Sequence, residues 1–129
     1  MAIPEADVLG PANSAGASEE APLDLAHLRR FTMGDAKLEL EILGLFADQL
    51  PITIAALKSA GSEKEWGMAA HTLKGSARAV GAWSLASVAE NAERLAALPD
   101  NAARDQMIDR VEQAAAVARR YIASLGVAV

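Results

Sequence analysis

Cysteine is absent from the chain, and histidine occurs twice, at His27 and His71. Without a thiol, disulfides, thiolate catalysis and thiolate metal sites are excluded. Imidazole is a nitrogen nucleophile available near neutral pH. The surroundings of His71 single it out. Gly67 stands four residues before it and Gly75 four after, while Lys74 and Arg78 follow at the third and seventh positions. On a helix turning roughly 100° per residue these share one face. Glycine inside a helix costs about 1 kcal/mol relative to alanine. Two glycines flanking one imidazole remove the side chains that would otherwise cover it. An open ring nitrogen admits an in-line partner, and nearby cations attract charged oxygens. The combination suits reversible attachment of a phosphoryl group to the ring. Lys74 beside the ring is also expected to favour its uncharged form, in which one nitrogen keeps a lone pair.

The element that carries these residues must be a helix with an opposite, apolar face. Trp66, Ala69, Ala70, Leu73, Ala77 and Val80 supply it, and His71 points nearly away from Leu73. Ser62, with Glu65 three residues on, is a capping-box start, and Gly81 is a fitting stop, so this third helix is expected to end at Val80. A short first helix is expected from Asp24 to Phe31. The second opens at Asp35. Pro51 either ends it near Leu50 or kinks or closely restarts it; continuation to Ala60 is favoured, because Phe46, Leu50, Ile54 and Leu57 keep helical spacing. Gly61 then stops it. A fourth helix is expected from Ser84 to near Leu98, ahead of Pro99, and a fifth from Ala102 to Ser124, with Asn101 as cap and Gly126 beyond its end. Short loops between long helices imply antiparallel neighbours. The fold class is therefore all-α, an up-down-up-down four-helix bundle with a short additional N-terminal helix.

Composition agrees. The 129 residues fit one domain, and the 52% hydrophobic content leans on alanine, the best helix former. Residues 1–22, with Pro4, Gly10, Pro11, Gly16 and Pro22, read as a flexible tail, and 23–126 as the bundle. A net charge of −5 without a basic stripe argues against nucleic acid as a partner. No signal-peptide pattern and no run of bilayer-spanning length is evident. The expectation is a cytoplasmic protein with no membrane partner.

The stretch Ala70-His71-Thr72-Leu73-Lys74-Gly75-Ser76-Ala77, followed by Gly81-Ala82, resembles the signature of histidine-containing phosphotransfer (HPt) domains. Gly34-Asp35, Phe46 with Pro51, Leu57 with Ala60, and Leu85 and Glu93 on the fourth helix extend the likeness across residues 23–98. The resemblance implies a monomeric helical bundle that accepts a phosphoryl group on His71 from a receiver-domain aspartate and passes it to another receiver. It also implies that Lys74 is the supporting cation and that Gly75 leaves the ring uncovered; Arg78 matches a variable position of the family, and Gly67 rests on the helix-face argument alone. No kinase activity, metal or cofactor is implied, since the Mg²⁺ of transfer belongs to the receiver. Partners are receiver domains of hybrid histidine kinases and response regulators, expected to dock over Met68, Lys74, Gly75, Arg78 and Ala79 with part of the second helix.

Two rival functions fit the same helices. One is a non-catalytic adaptor in which His71 is incidental. The other is the phosphoacceptor fragment of a chemotaxis-type histidine kinase. His27 is read as structural or solvent-exposed, Thr72 and Ser76 as helix-packing hydroxyls, and Trp66 as core; Trp83 fits core or surface equally. Neither histidine follows a glutamate at di-iron spacing, and two distant histidines do not make a zinc site.

Overall fold

Among the described residues, four helix starts are capped by a side-chain oxygen that takes an otherwise orphaned backbone N–H. Asp24 accepts from His27 at 3.1 Å, Asp35 from Leu38 at 3.0 Å, Ser62 from Glu65 at 3.1 Å and Asp100 from Ala103 at 2.9 Å. The computed structural model describes residues 21–95 and 100–129, so the expected tail, 1–22, lies almost wholly outside the described residues. The helices are α1 (Leu25–Thr32), α2 (Ala36–Ser59), α3 (Glu63–Val80), α4 (Trp83–Glu93) and α5 (Asn101–Ser124). Helix α2 packs on α3 and α5, α4 packs on the same two, and α1 leans on α2 and α3. The result is the expected ring of four helices with a short leading one.

Helix α2 follows the favoured reading and continues past Pro51 to Ser59, whereas α4 and α5 differ from expectation at their ends. Helix α2 runs unbroken through Pro51. The proline sits on the exposed side, where its missing N–H disturbs no core contact, while buried Leu50 and Ile54 hold the helix on either side of it. Helix α4 begins at Trp83 and ends at Glu93, short of Leu98. The indole Nε1 of Trp66 donates to the Ala92 carbonyl at 2.9 Å, and the backbone tightens there, with Leu95 N–H reaching the same oxygen at 3.3 Å. Helix α5 is capped by Asp100 rather than Asn101, which is already helical.

The core matches the predicted stripe on α3 residue for residue: Trp66, Ala69, Ala70, Leu73, Ala77 and Val80 are its buried positions. Facing them lie Leu43, Phe46, Leu50, Ile54 and Leu57 of α2, and Leu85, Ala86, Ala89 and Ala92 of α4. Helix α2 is long and apolar enough to cross a membrane by length and composition, but its large residues on this face are committed to the bundle core. Alanines on α3 and α4 let the two backbones approach closely, which brings side chains at the edges of both helices within reach of each other.

Arg104 of α5 ties the ring together. Its guanidinium donates to the carbonyls of Leu57, Lys58 and Ala60 at 3.3, 2.6 and 2.6 Å, and lies 5.5 Å from the centre of the Trp66 ring. The last carbonyls of α2 thus receive a cation where the helix dipole favours one. At the other end, Gly81 adopts φ +78, and Asp24 N–H donates to its carbonyl at 2.9 Å. A Cβ on Gly81 would stand 2.7 Å from the Asp24 carbonyl oxygen, so both conformation and space require glycine. Trp83, left undecided by sequence, is half exposed: its Nε1 donates to Asp24 at 3.1 Å and its ring meets His27 edge-on at 4.8 Å. His27 is accordingly structural, packed between Trp83 and Phe31.

Candidate functional site

His71 projects from the middle of α3 with its side chain 70% exposed. Gly67 and Gly75 flank it, and a Cβ built on either would meet nothing within 4 Å. That excludes close helix packing as the reason for Gly75. The ring stands over open space on both sides along the helix.

The ring is nevertheless held. His71 Nδ1 lies 2.8 Å from Glu93 Oε2, at the end of α4. A carboxylate can only accept, so Nδ1 is the nitrogen that carries the proton and donates. In the neutral ring Nε2 then keeps the lone pair. Among the described residues Nε2 has no hydrogen-bond partner, so the free lone pair is directed away from α4.

Lys74 differs from the sequence expectation. Rather than standing free beside the imidazole, its side chain is 16% exposed and ion-paired to Glu93 Oε1, an oxygen shut off from solvent. One carboxylate therefore holds both the His71 ring and the Lys74 ammonium. Lys74 is thus engaged with α4 and is not the free cation that its spacing suggested. Lys74 first, and His71 second, hold the Glu93 carboxyl below its ordinary value of 4.5. It is an anion at neutral pH.

The remaining predicted residues divide by flank. Arg78 is half exposed and lies 3.9 Å from Glu90, which also pairs with Arg94 at 3.2 Å. It faces α4 and does not touch His71. Met68, 60% exposed, and exposed Ala79 lie toward α2. Beside Met68 an open groove of about 600 Å³ runs between α2 and α3, lined by Ile52, Thr53, Ala56, Met68, Ala69 and Thr72 among others. Thr72 is exposed on this groove rather than packed. The site thus has a charged flank on α4 and an apolar flank on α2.

A family model, described as Hpt domain, matches residues 41–121. The chain belongs to the Hpt domain family. The match begins within α2 and ends within α5, covering the four-helix ring and the whole of the His71 site. No curated protein and no solved structure shows significant similarity to the chain. Hpt domains carry phosphoryl groups on histidine in phosphorelay signalling, as carriers rather than kinases, and interact with receiver domains.

Glu93 is the residue that sequence reasoning left outside the site, although the family resemblance included it as a flanking match. A signal for it existed. About the tight turn at Gly81-Ala82, an antiparallel register brings residues 71 and 93 to the same level, and Glu93 follows buried Ala89 and Ala92 at the edge of the core stripe.

Proposed function

We propose that His71 is the phosphoacceptor, attacking through Nε2. The observation that carries this reading is the asymmetry of the ring: Nδ1 is held by Glu93 at 2.8 Å, while Nε2 faces open space between two glycines. In the reaction the Nε2 lone pair attacks the phosphorus of a receiver's aspartyl phosphate. A P–N bond forms, the P–O bond breaks, and the aspartate leaves as a carboxylate. Attack places positive charge on the ring, since the Nδ1 proton stays in place, and the Glu93 carboxylate lies against that charge. Passage to a second receiver is the same step in reverse. Gly75 and Gly67 leave the approach uncovered, while Lys74 and Arg78 supply the nearest cations on the helix face.

The receiver is proposed to dock over this face, with Met68, Ala79 and the α2–α3 groove giving an apolar centre and Arg78 and the α4 charges a polar rim, as suits a transient interface. The working unit is proposed as residues 23–126, acting as a cytoplasmic monomer, with the 1–22 segment as an appended tail. The cognate partners are proposed to be a hybrid kinase and a response regulator.

Incubation with a ³²P-labelled receiver tests the reading. Label is expected to move onto the chain as an acid-labile, base-stable adduct, and His71→Ala is expected to abolish it. Equal labelling of His71→Ala would refute the assignment and leave the adaptor reading. ATP alone is expected to give no label; labelling by ATP would point to autonomous kinase activity instead.

A further inference from the structure

Glu93 does more than orient a ring, because its charge acts on the phosphorylated state as well as on the resting one. We infer that Glu93 is a positioning residue that sets how readily the phosphoryl group leaves His71, by keeping Nδ1 protonated in the adduct, and that Lys74 tempers it. This inference rests on the proposal that His71 carries the phosphoryl group at Nε2.

The state of the leaving group governs how readily the phosphoryl group departs. When the P–N bond breaks, its electron pair returns to Nε2. With Nδ1 protonated, the departing imidazole is neutral; without that proton, it would leave as an anion. Loss of phosphoryl to water or to a receiver aspartate therefore proceeds through the Nδ1-protonated ring, which is cationic while phosphorus is attached. A carboxylate 2.8 Å from Nδ1 favours that proton, as opposite charge favours the charged form. The second carboxylate oxygen is paired with Lys74, which draws charge away from the ring and opposes the effect.

The other groups facing the ring act more weakly. On α4, Glu90 is already engaged with Arg94 and Arg78. On α2, the residues lining the groove at this level are Gln49, Ile52 and Thr53, none of them charged. Glu65 also lines the groove, but from the first turn of α3. Glu93 and Lys74 thus form an opposed pair on one ring nitrogen.

The consequence is a shifted rate profile. Phosphoryl loss is fast where Nδ1 is protonated and falls as that proton is lost at higher pH. Glu93→Gln keeps an acceptor for Nδ1–H but removes the charge, so its fall-off is expected at lower pH, by about one unit, or roughly tenfold in rate on the alkaline limb, the scale of one charge-assisted hydrogen bond. Lys74→Gln is expected to move the fall-off the opposite way. Structural damage alone would not shift the two variants in opposite directions.

The experiment loads the native chain, Glu93→Gln and Lys74→Gln with a small-molecule phosphoramidate donor and follows hydrolysis of the adduct by ³¹P NMR from about pH 5 to 9. Water takes the phosphoryl group, inorganic phosphate is released and the ring returns neutral with its Nδ1 proton. Opposite displacements of the two variants about the native midpoint support the inference. A Glu93→Gln midpoint that coincides with the native one, or shifts the same way as Lys74→Gln, overturns it. Failure of the native chain to form an adduct, or an equal adduct on His71→Ala, overturns the His71 proposal itself, so the two failures are told apart.

Discussion

Replacing Gly75 should make the protein more stable and less able to transfer. In a helix interior, Gly→Ala is worth about 0.5–1 kcal/mol through backbone entropy. Nothing in the packing offsets that gain here, because a Cβ at Gly75 meets no atom within 4 Å. For a domain of this size, about 1 kcal/mol moves the melting midpoint by roughly 4–8 °C. Gly67→Ala has the same open surroundings and the same expected gain. Gly75→Leu keeps most of this stability, since leucine is also a good helix former. Its side chain, however, leans toward the preceding turn, over the approach to His71. Acceptance of phosphoryl from a receiver is expected to fall at least about tenfold, since small losses of reacting geometry are costly. Thermal melts by circular dichroism and initial rates of ³²P labelling check both limbs. A lower melting point for Gly75→Ala would show that the glycine has a structural role. Native transfer by Gly75→Leu would show that it does not control access.

Other changes test the frame that holds the site. Arg104→Met removes the cation from the Leu57, Lys58 and Ala60 carbonyls, and should cost about 1–3 kcal/mol in urea unfolding, as for hydrogen bonds to a charged group. Gly81→Ala combines a positive φ with a 2.7 Å clash against Asp24, and should cost at least about 1–3 kcal/mol by the same measurement. In acid the sign follows from Glu93. Its carboxyl is depressed below 4.5 in the folded chain, so its contribution is complete above that value and is lost as pH falls toward the folded one. Melting midpoints of the native chain should therefore drop more between about pH 5 and pH 3 than those of Glu93→Gln.

Helix periodicity carried most of the fold. The α3 stripe was legible because every third or fourth residue is apolar and the chain between Ser62 and Gly81 contains no breaker except the two glycines on the exposed face. The caps at Asp24, Asp35 and Ser62 were legible for a similar reason: a short acceptor side chain ahead of an apolar period acts locally. The end of α4 was not. It depends on the Trp66 indole reaching the Ala92 carbonyl across 26 residues of sequence, a tertiary contact that no local pattern encodes. Helix α2 shows the converse: Pro51 is a local breaker, and packing of Leu50 and Ile54 overrides it.

The site divides along the same line. His71 and its glycines lie on one helix, so their spacing alone places them on one face. Lys74 lies on that face too, and its spacing alone suggested a cation standing free for the phosphoryl group. Its actual partner belongs to another helix, and the alanine-lined approach of α3 to α4 makes the pairing possible. Each helix contributes what it can hold rigidly: α3 the imidazole and the ammonium, α4 the carboxylate that binds both. The two helices therefore share one charge balance, and moving α4 relative to α3 would disturb the ring's proton and the cation's position together. The turn at Gly81-Ala82 sets that register, and the close contact of Gly81 with Asp24 pins the turn. Gly81, ten residues beyond His71 and touching neither His71 nor Lys74, is thus part of what aims Glu93 at the ring.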